Sequence, residues 1–341
     1  LQPYVHSHTF QMNFMGFLRL YRITGDKSLF RKVAGAWDDI CNRQMYITGG
    51  VSVAEHYEHG YVKPVSGNVV ETCATMSWMQ LTQMLLELTG ESKYADAMER
   101  LMMNHVFAAQ DCESGTCRYH TAPNGTKPHD YFHGPDCCTA SGHRIISLLP
   151  TFFYAENGKD FYINQYLPSR YDGKDFAFEI SGNYPESESM VLTVLSSKNL
   201  RIPSWCKTPE VSVNGERGSG IEAGKYLAIT RKWEKGDKIG ITFPMEGKWI
   251  RREHHSKYTT YTLPRGEIMY REEPTDKIPY AFIRGPLVYC LDMVWNKQLC
   301  NDDVNMEKDI RMDTNSEPKW IQKPDTKMLG PVYQTQASYM G

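Results

Sequence analysis

Leu20-Tyr21-Arg22-Ile23-Thr24-Gly25-Asp26-Lys27-Ser28-Leu29-Phe30 returns in the same grammar as Leu86-Glu87-Leu88-Thr89-Gly90-Glu91-Ser92-Lys93-Tyr94. Each stretch reads as a helix, a glycine stop and a second helix. The glycine suits the residue just past a helix end, where a left-handed backbone is needed, and a following Asp or Ser can cap the next helix. An aromatic residue then packs back, giving a tight αα-hairpin. The two glycines lie 65 residues apart, too far for a solenoid repeat, and the spacing fits a ring of helical hairpins. Around them, from Thr9 to about Leu149, apolar residues recur at helical spacing, as in Phe10, Phe14, Phe17, Leu18 and Tyr21, and again in Met76, Met79, Leu81, Met84, Leu85 and Leu88.

Past Pro150 the period changes to two. Phe176 to Ile180, Met190 to Leu195, Tyr226 to Thr230 and Lys238 to Phe243 alternate across polar turns, and Val211-Ser212-Val213-Asn214-Gly215-Glu216 is a strand entering an Asn-Gly turn. The expectation is an α + β multidomain chain: a partial (α/α)6 toroid over residues 1–155, then a β-sandwich over 156–341. The polar, irregular tail from Asn296 to Gly341 is expected to form loops with one late strand. A length of 341 residues with 41% hydrophobic, 23% charged and 12% aromatic content provides for two ordinary domains.

A net charge of -2 without like-charged runs supplies no field for nucleic acid or an anionic membrane. No signal-like start and no apolar stretch of about 18 residues is found, so a soluble protein acting on a neutral small molecule or polymer is expected, in a compartment the sequence leaves open between periplasmic or secreted and cytoplasmic. The oligomeric state is equally open. The first residue is Leu1 rather than Met, which suits a chain that begins inside a longer gene product. Nine cysteines, at 41, 73, 112, 117, 137, 138, 206, 290 and 300, lack the dense spacing of a disulfide scaffold.

Cys137-Cys138 is the unusual pair, because neighbouring cysteines bridge to each other only with strain and more often serve a metal or redox centre. Glu71-Thr72-Cys73 opens the second long helical stretch, and its first and third residues can aim at one point if the backbone there is not yet helical. Three sulfurs and a carboxylate match the borderline softness of Zn2+. On spacing alone two readings stand: a metal centre, or a buried small Cys73 beside a loop pair without function. Glu55, in the glycine-started stretch Gly49-Gly50-Val51-Ser52-Val53-Ala54-Glu55-His56, reads as a loop carboxylate over a pocket. A glycosidase needs one group to protonate the leaving oxygen and another across the ring to attack. A metal-bound thiolate and a nearby glutamate fill those two roles.

Glu55, Glu71-x-Cys73 and Cys137-Cys138 together resemble the active-site set of glycoside hydrolase family 127, the β-L-arabinofuranosidases with an α/α barrel and appended β-sandwich domains. Leu200-Arg201-Ile202-Pro203-Ser204-Trp205, Val213-Asn214-Gly215, Arg231 to Asp237 and Arg284-Gly285-Pro286-Leu287-Val288-Tyr289 are similar to sandwich signatures of that family. The resemblance runs roughly from Tyr4 to Met293. It implies Cys137 as a nucleophile that forms a thioglycosyl intermediate with retention, Glu55 as acid/base, and Glu71, Cys73, Cys137 and Cys138 as zinc ligands. Substrate contacts are expected from His6, His8, Tyr119, His120, His133 and Arg144, with Arg118 and Arg144 as a carboxylate clamp if the sugar is acidic. Thr139-Ala140-Ser141-Gly142-His143-Arg144 departs from a Pro-Pro-Asn type continuation, which bears on the sugar more than on the chemistry. The resemblance also implies that the first helices of the ring are not among these residues, so apolar helix faces should be exposed. Two alternatives keep the fold: a hydrolase of a branched or acidic furanose, and a noncatalytic carbohydrate-binding protein with an inert zinc site.

Overall fold

A computed structural model of the protein describes residues 5–57, 67–111, 114–123, 125–126, 136–157, 160–173, 177–194, 200–251, 261–263, 266–268, 280–292, 329–331 and 337–339. Helices dominate up to Phe152 and strands dominate from Tyr154. The helices are α1 (Ser7–Thr24), α2 (Lys27–Asp39), α3 (Thr72–Thr89), α4 (Ser92–Leu101), α5 (Phe107–Ala109) and α6 (Cys137–Leu148).

The repeated sequence stretch forms two αα-hairpins. Gly25 and Gly90 take left-handed backbone at φ 72° and 68°, and each donates its N–H back four residues, to Tyr21 and Leu86. In the first hairpin Asp26 caps α2 by accepting from Ser28 N–H at 2.8 Å, and Phe30 packs on Tyr21 at 5.5 Å between ring centres. The second hairpin departs from expectation. Glu91, not Ser92, holds the cap position, without a side-chain cap bond, and the Ser92 hydroxyl donates instead to the Gly224 carbonyl in the strand-rich half. Tertiary contact has displaced a local capping option. Both second helices then widen into a π-helical turn, at Ile40–Gln44 and Met102–Val106.

α3 is the central helix, with apolar and small residues buried around most of its circumference. Trp78 on it stacks against Trp37 of α2 at 5.7 Å, and the Trp37 indole donates to Thr82 at 2.9 Å. α1 packs on α3 through Phe14, Met15 and Leu18, while Met12, Phe17, Leu20 and Ile23 are exposed, Ile23 by 83%. Four large apolar side chains on one helix therefore face away from the described core.

A six-stranded antiparallel sheet runs in the order 169–172, 177–182, 189–194, 238–242, 210–213, 216–217. Its period-two pattern buries Phe178, Ile180, Met190, Leu192, Val194, Val211, Ile239 and Ile241 on one face. Asn214 and Gly215 turn the last hairpin at φ 52° and 86°, the pair of positive angles such two-residue turns require. A four-stranded sheet joins 226–227, 200–201, 160–163 and 154–157, and a further sheet joins 125–126, 337–339, 287–292, 280–284 and 247–251, with 329–331 paired to 287–292. Two expectations need correcting here. The alternating run from Tyr226 to Thr230 is strand only at Tyr226–Leu227, and among the described residues the tail contributes two short strands, Leu329–Pro331 and Ala337–Tyr339, rather than one.

The helical and strand-rich halves meet through a buried polar knot. Arg201, fully buried, pairs with Asp96 and with Glu99 of α4 at 2.7 Å, while Tyr184 and Trp205 donate to the same Glu99 carboxylate at 2.7 and 2.9 Å. The Arg201 Nε donates to the Asn164 carbonyl at 2.6 Å, so the guanidinium is spent on structure. Among the described residues no helix is long and apolar enough to cross a membrane.

Candidate active site

Gly49 and Gly50 begin the site because nothing larger fits. Gly49 has φ 87°, and a Cβ there would lie 2.8 Å from the Leu101 amide; one on Gly50 would lie 2.1 Å from a Val70 methyl. That close approach lays the following loop against the start of α3. Val70 N–H donates to the Ser52 carbonyl at 3.0 Å, Glu71 N–H to the Ser52 hydroxyl at 2.9 Å, and Ala54 N–H to the Asn68 carbonyl at 2.8 Å. Within this zipper Ser52, Ala54, Glu55 and Val70 all have positive φ, at 94°, 43°, 67° and 57°. Left-handed backbone in non-glycine residues is uncommon, and for β-branched Val70 it is an outlier. Strain of this kind persists where surrounding structure over-determines it, and it collects at functional sites. Here it flanks the two glutamates singled out from the sequence.

Glu71 is the residue before α3, in extended backbone at φ -71° and ψ 136°, so its side chain and that of Cys73 in the first turn converge. Cys137 and Cys138 are the first residues of α6, whose cap Asp136 accepts from Thr139 N–H at 2.7 Å. One ligand atom from each of Glu71, Cys73, Cys137 and Cys138 falls within 4.8 Å of the others. Cys138 Sγ is 3.4 Å from Cys73 Sγ and 3.8 Å from Glu71 Oε1. Tetrahedral zinc with bonds near 2.3 Å sets sulfur atoms roughly 3.8 Å apart, so little adjustment is needed. A second sign is Glu71 Oε2, which is buried with no hydrogen-bond partner. A buried carboxylate oxygen without a donor is costly, and a cation is the partner that removes the cost. The four residues fit a divalent, sulfur-accepting metal.

The proton balance without a metal points the same way. Burial, reinforced by the charges of Cys73 and Glu55, pushes Glu71 up from 4.5 to about 9. A hydrogen bond from Cys138, with help from Ser141, brings Cys73 down to about 6 against the opposing effect of burial. Cys138 is raised by its bond to Cys73 and by burial, and Cys137 by burial and the same neighbour. One sulfur thus holds the negative charge that all four groups would carry around a cation.

Cys137 is exposed while Cys138 is fully buried, although both sulfurs belong to the same four-residue cluster. On the Cys137 side stands the Tyr119 hydroxyl at 3.9 Å, which itself donates to Glu55 Oε1. Tyr119 is placed there by an isolated bridge between its segment and the start of α3: Thr72 N–H donates to the Tyr119 carbonyl at 2.9 Å and Thr121 N–H to the Val70 carbonyl at 3.1 Å. The Glu55 carbonyl accepts from the Ser7 amide and hydroxyl at 2.8 and 2.9 Å, which pins the loop to the start of α1. His6 Nε2 lies 3.8 Å from Glu55 Oε2, and burial lowers its pKa.

The other expected contacts divide. His8 Nδ1 meets the Ser77 hydroxyl at 2.9 Å; Ser77 donates to Gln11, and Gln11 to the Tyr57 hydroxyl at 2.6 Å, a buried chain that fixes the ring. His120 packs on Tyr119 at 4.7 Å with its Nε2 buried and unpartnered, and burial lowers its pKa to about 4. Arg144 donates to the Ser141 hydroxyl at 3.0 Å and stays exposed. His133 lies outside the described residues. Arg118 is a correction. It is buried, pairs with Asp111 at 3.0 Å and donates to the Ala108 and Gln110 carbonyls, so it holds the 108–118 turn and is unavailable as a substrate clamp. Sequence reading missed Ser52, Ser77 and Ser141, whose roles arise from contacts between segments 19 to 69 residues apart.

Comparison with known proteins places the chain in a family. Residues 2–151 match the β-L-arabinofuranosidase GH127 catalytic domain, and residues 160–245 match the GH127 middle domain. A non-reducing end β-L-arabinofuranosidase of Bifidobacterium longum subsp. longum is 26% identical over 325 residues, covering 84% of this chain and 46% of the relative. A solved GH127 β-arabinofuranosidase superposes with a TM-score of 0.69 at 26% identity over 84% of this chain and 48% of that one. A GH127 β-L-arabinofuranosidase from Geobacillus stearothermophilus T6 gives 0.68 at 27% identity over 85% and 47%. The chain spans about half the length of these relatives. The matches to the catalytic and middle domain models place the chain among the glycoside hydrolases. Within that class it belongs to glycoside hydrolase family 127.

Proposed function

We propose that this chain carries the reaction centre of a retaining, zinc-dependent hydrolase of terminal L-arabinofuranose-type residues on plant-type glycans. The observation that carries the reading is the division of the cysteine pair: both sulfurs reach the Glu71–Cys73 cluster, and only Cys137 is exposed, on the side where Glu55 stands. The Cys137 sulfur attacks the anomeric carbon while the bond to the leaving oxygen breaks, and Glu55 gives that oxygen its proton. Water then attacks the same carbon, Glu55 takes its proton, and the carbon–sulfur bond breaks to return the thiolate. Bound zinc would keep the three cysteines as thiolates at neutral pH and make sulfur a better leaving group in the second step. Glu71, Cys73 and Cys138 would hold it and do no bond chemistry.

Around this centre His6, His8, Tyr119 and His120 serve the furanose hydroxyls as donors and acceptors, His8 with its orientation already fixed by Ser77. The helices form an arc of an α/α toroid whose open side is the exposed face of α1, and the sheets after about residue 155 build the sandwich-like portion.

The test uses the full-length protein with an aryl β-L-arabinofuranoside, with and without chelator, and an electrophilic furanose mimic as trap. Metal-dependent release with retained configuration and labelling of Cys137 alone are expected. Labelling of Cys138 would reverse the assignment within the pair, and retention without labelling of either sulfur would refute the thiolate mechanism.

A further inference from the structure

The four-ligand centre carries an excess of negative charge. Three thiolates and a carboxylate around a divalent cation leave two negative charges in a site where Cys73, Cys138 and Glu71 are all buried. Charge held away from water needs donors around it.

Ser141 supplies one. It lies one turn beyond Cys138 on α6, is buried, and its hydroxyl oxygen stands 3.2 Å from Cys73 Sγ. A metal-bound thiolate has no proton to give, so the Ser141 hydroxyl is the donor in that bond. Arg144 Nη2 is 3.0 Å from the same oxygen, and a guanidinium can only donate. The Ser141 oxygen is therefore the acceptor for Arg144, and its single proton is left for the sulfur. Arg144 has its guanidinium on the solvent side, and among the described residues it has no carboxylate partner. The spacing 138, 141, 144 follows from a helix, where residues three apart share a face.

We infer that Arg144 and Ser141 form a positioning relay that carries surface positive charge to the Cys73 sulfur and so holds the metal centre. The inference rests on the reading of Glu71, Cys73, Cys137 and Cys138 as metal ligands. It assigns neither residue to the substrate. Both act through Cys73, which keeps its place in the ligand set while Cys137 exchanges partners. Outer donors to a ligand tune its electron density and its geometry. A hydrogen bond to a thiolate draws density off sulfur, which moves sulfur-to-metal charge transfer to higher energy.

The experiment compares the parent protein, Ser141→Ala, Arg144→Gln and the exposed control Thr151→Ala, in full-length protein. Zinc affinity is read by chelator competition, and the sulfur-to-cobalt charge-transfer band is read after replacement of zinc by Co2+. Ser141→Ala is expected to lose roughly 10- to 100-fold in zinc affinity. Arg144→Gln is expected to lose less in the same direction. Both bands should move to longer wavelength while the control stays with the parent. If Ser141→Ala fails to fold, Arg144→Gln decides alone, since its side chain is at the surface. Parent affinity and an unmoved band in both variants overturn the relay and leave the metal reading intact. An Arg144→Gln with a raised KM but parent metal affinity and band also overturns it, because Arg144 then touches substrate. A parent protein that takes up no metal overturns the ligand reading and the relay together.

Discussion

Glu71 and Glu99 are equally buried, each 1% exposed, and the protein treats them in opposite ways. Glu99 receives Arg201, Tyr184 and Trp205, donors from the strand-rich half that occupy both carboxylate oxygens. Glu71 receives no cationic side chain among the described residues, sits against sulfur, and keeps one oxygen without a partner. A buried carboxylate with both oxygens answered is a fastener between two parts of a fold. One left partly unanswered beside three thiols costs stability unless a cation completes it. The contrast separates structure from function without reference to relatives, and substitutions at or near each carboxylate can break it.

The largest effect is expected next to Glu71. Cys137→Ser should lower turnover by about ten-thousandfold or more, as loss of a nucleophile does, with little change in the thermal midpoint of metal-free protein because Cys137 is exposed. A variant with more than a tenth of parent activity would take the nucleophile away from Cys137. Next, Glu55→Gln should cost roughly a hundred- to ten-thousandfold on poor leaving groups and less on activated aryl glycosides, since the amide keeps the shape and loses the proton. Equal loss on both kinds of substrate would make Glu55 a binding group.

The two carboxylates also differ in how far the sequence announced them. Glu71-x-Cys73 was legible because the motif sits at a helix start, where local backbone alone makes the two side chains converge, and Cys137-Cys138 because adjacency of two cysteines is rare. The helical hairpins were legible from Gly25 and Gly90, whose left-handed angles are a local property. In the sequence Glu99 carries no mark beyond being one charge among several on α4. Its partner Arg201 is 102 residues away, and only the packing of α4 on the strand-rich half brings them together. Ser92 escaped for the same reason, since a contact across the two halves replaced a local cap. Ser52 and Ser141 carry no pattern at all in one dimension, because a serine acquires its role from the oxygen or sulfur that happens to face it.

Glu99 should answer to stability alone. Glu99→Gln leaves Arg201 buried beside a neutral amide, and removal of one partner of a buried pair costs about 3–5 kcal/mol. Chemical denaturation should record that loss, with kcat unchanged in the fraction that stays folded. A drop below about 1 kcal/mol would mean that Asp96 alone satisfies Arg201, and the fastener would then be the other carboxylate.

The smallest effect is expected at Glu71 itself, in protein stripped of metal. Because burial raises its pKa to about 9, Glu71 is already neutral in the folded chain at pH 7, and glutamine is close to the shape and charge of that protonated acid. Glu71→Gln should therefore change the stability of metal-free protein by less than about 1 kcal/mol near pH 5, against the several lost at Glu99. The pH dependence gives the sign. The folded pKa lies above the ordinary value of 4.5, so the folded state holds a proton that the unfolded chain releases, and this contribution to stability is complete below 4.5 and is lost as pH rises through about 9. Metal-free parent protein should thus lose stability between those limits relative to Glu71→Gln, which has no carboxyl to ionise. Zinc inverts the order: it favours the carboxylate, so the parent should gain stability on metal addition and the variant should gain less. Parallel pH profiles for the two metal-free proteins would show that Glu71 is ionised in the fold, and its open oxygen would then need a donor rather than a cation.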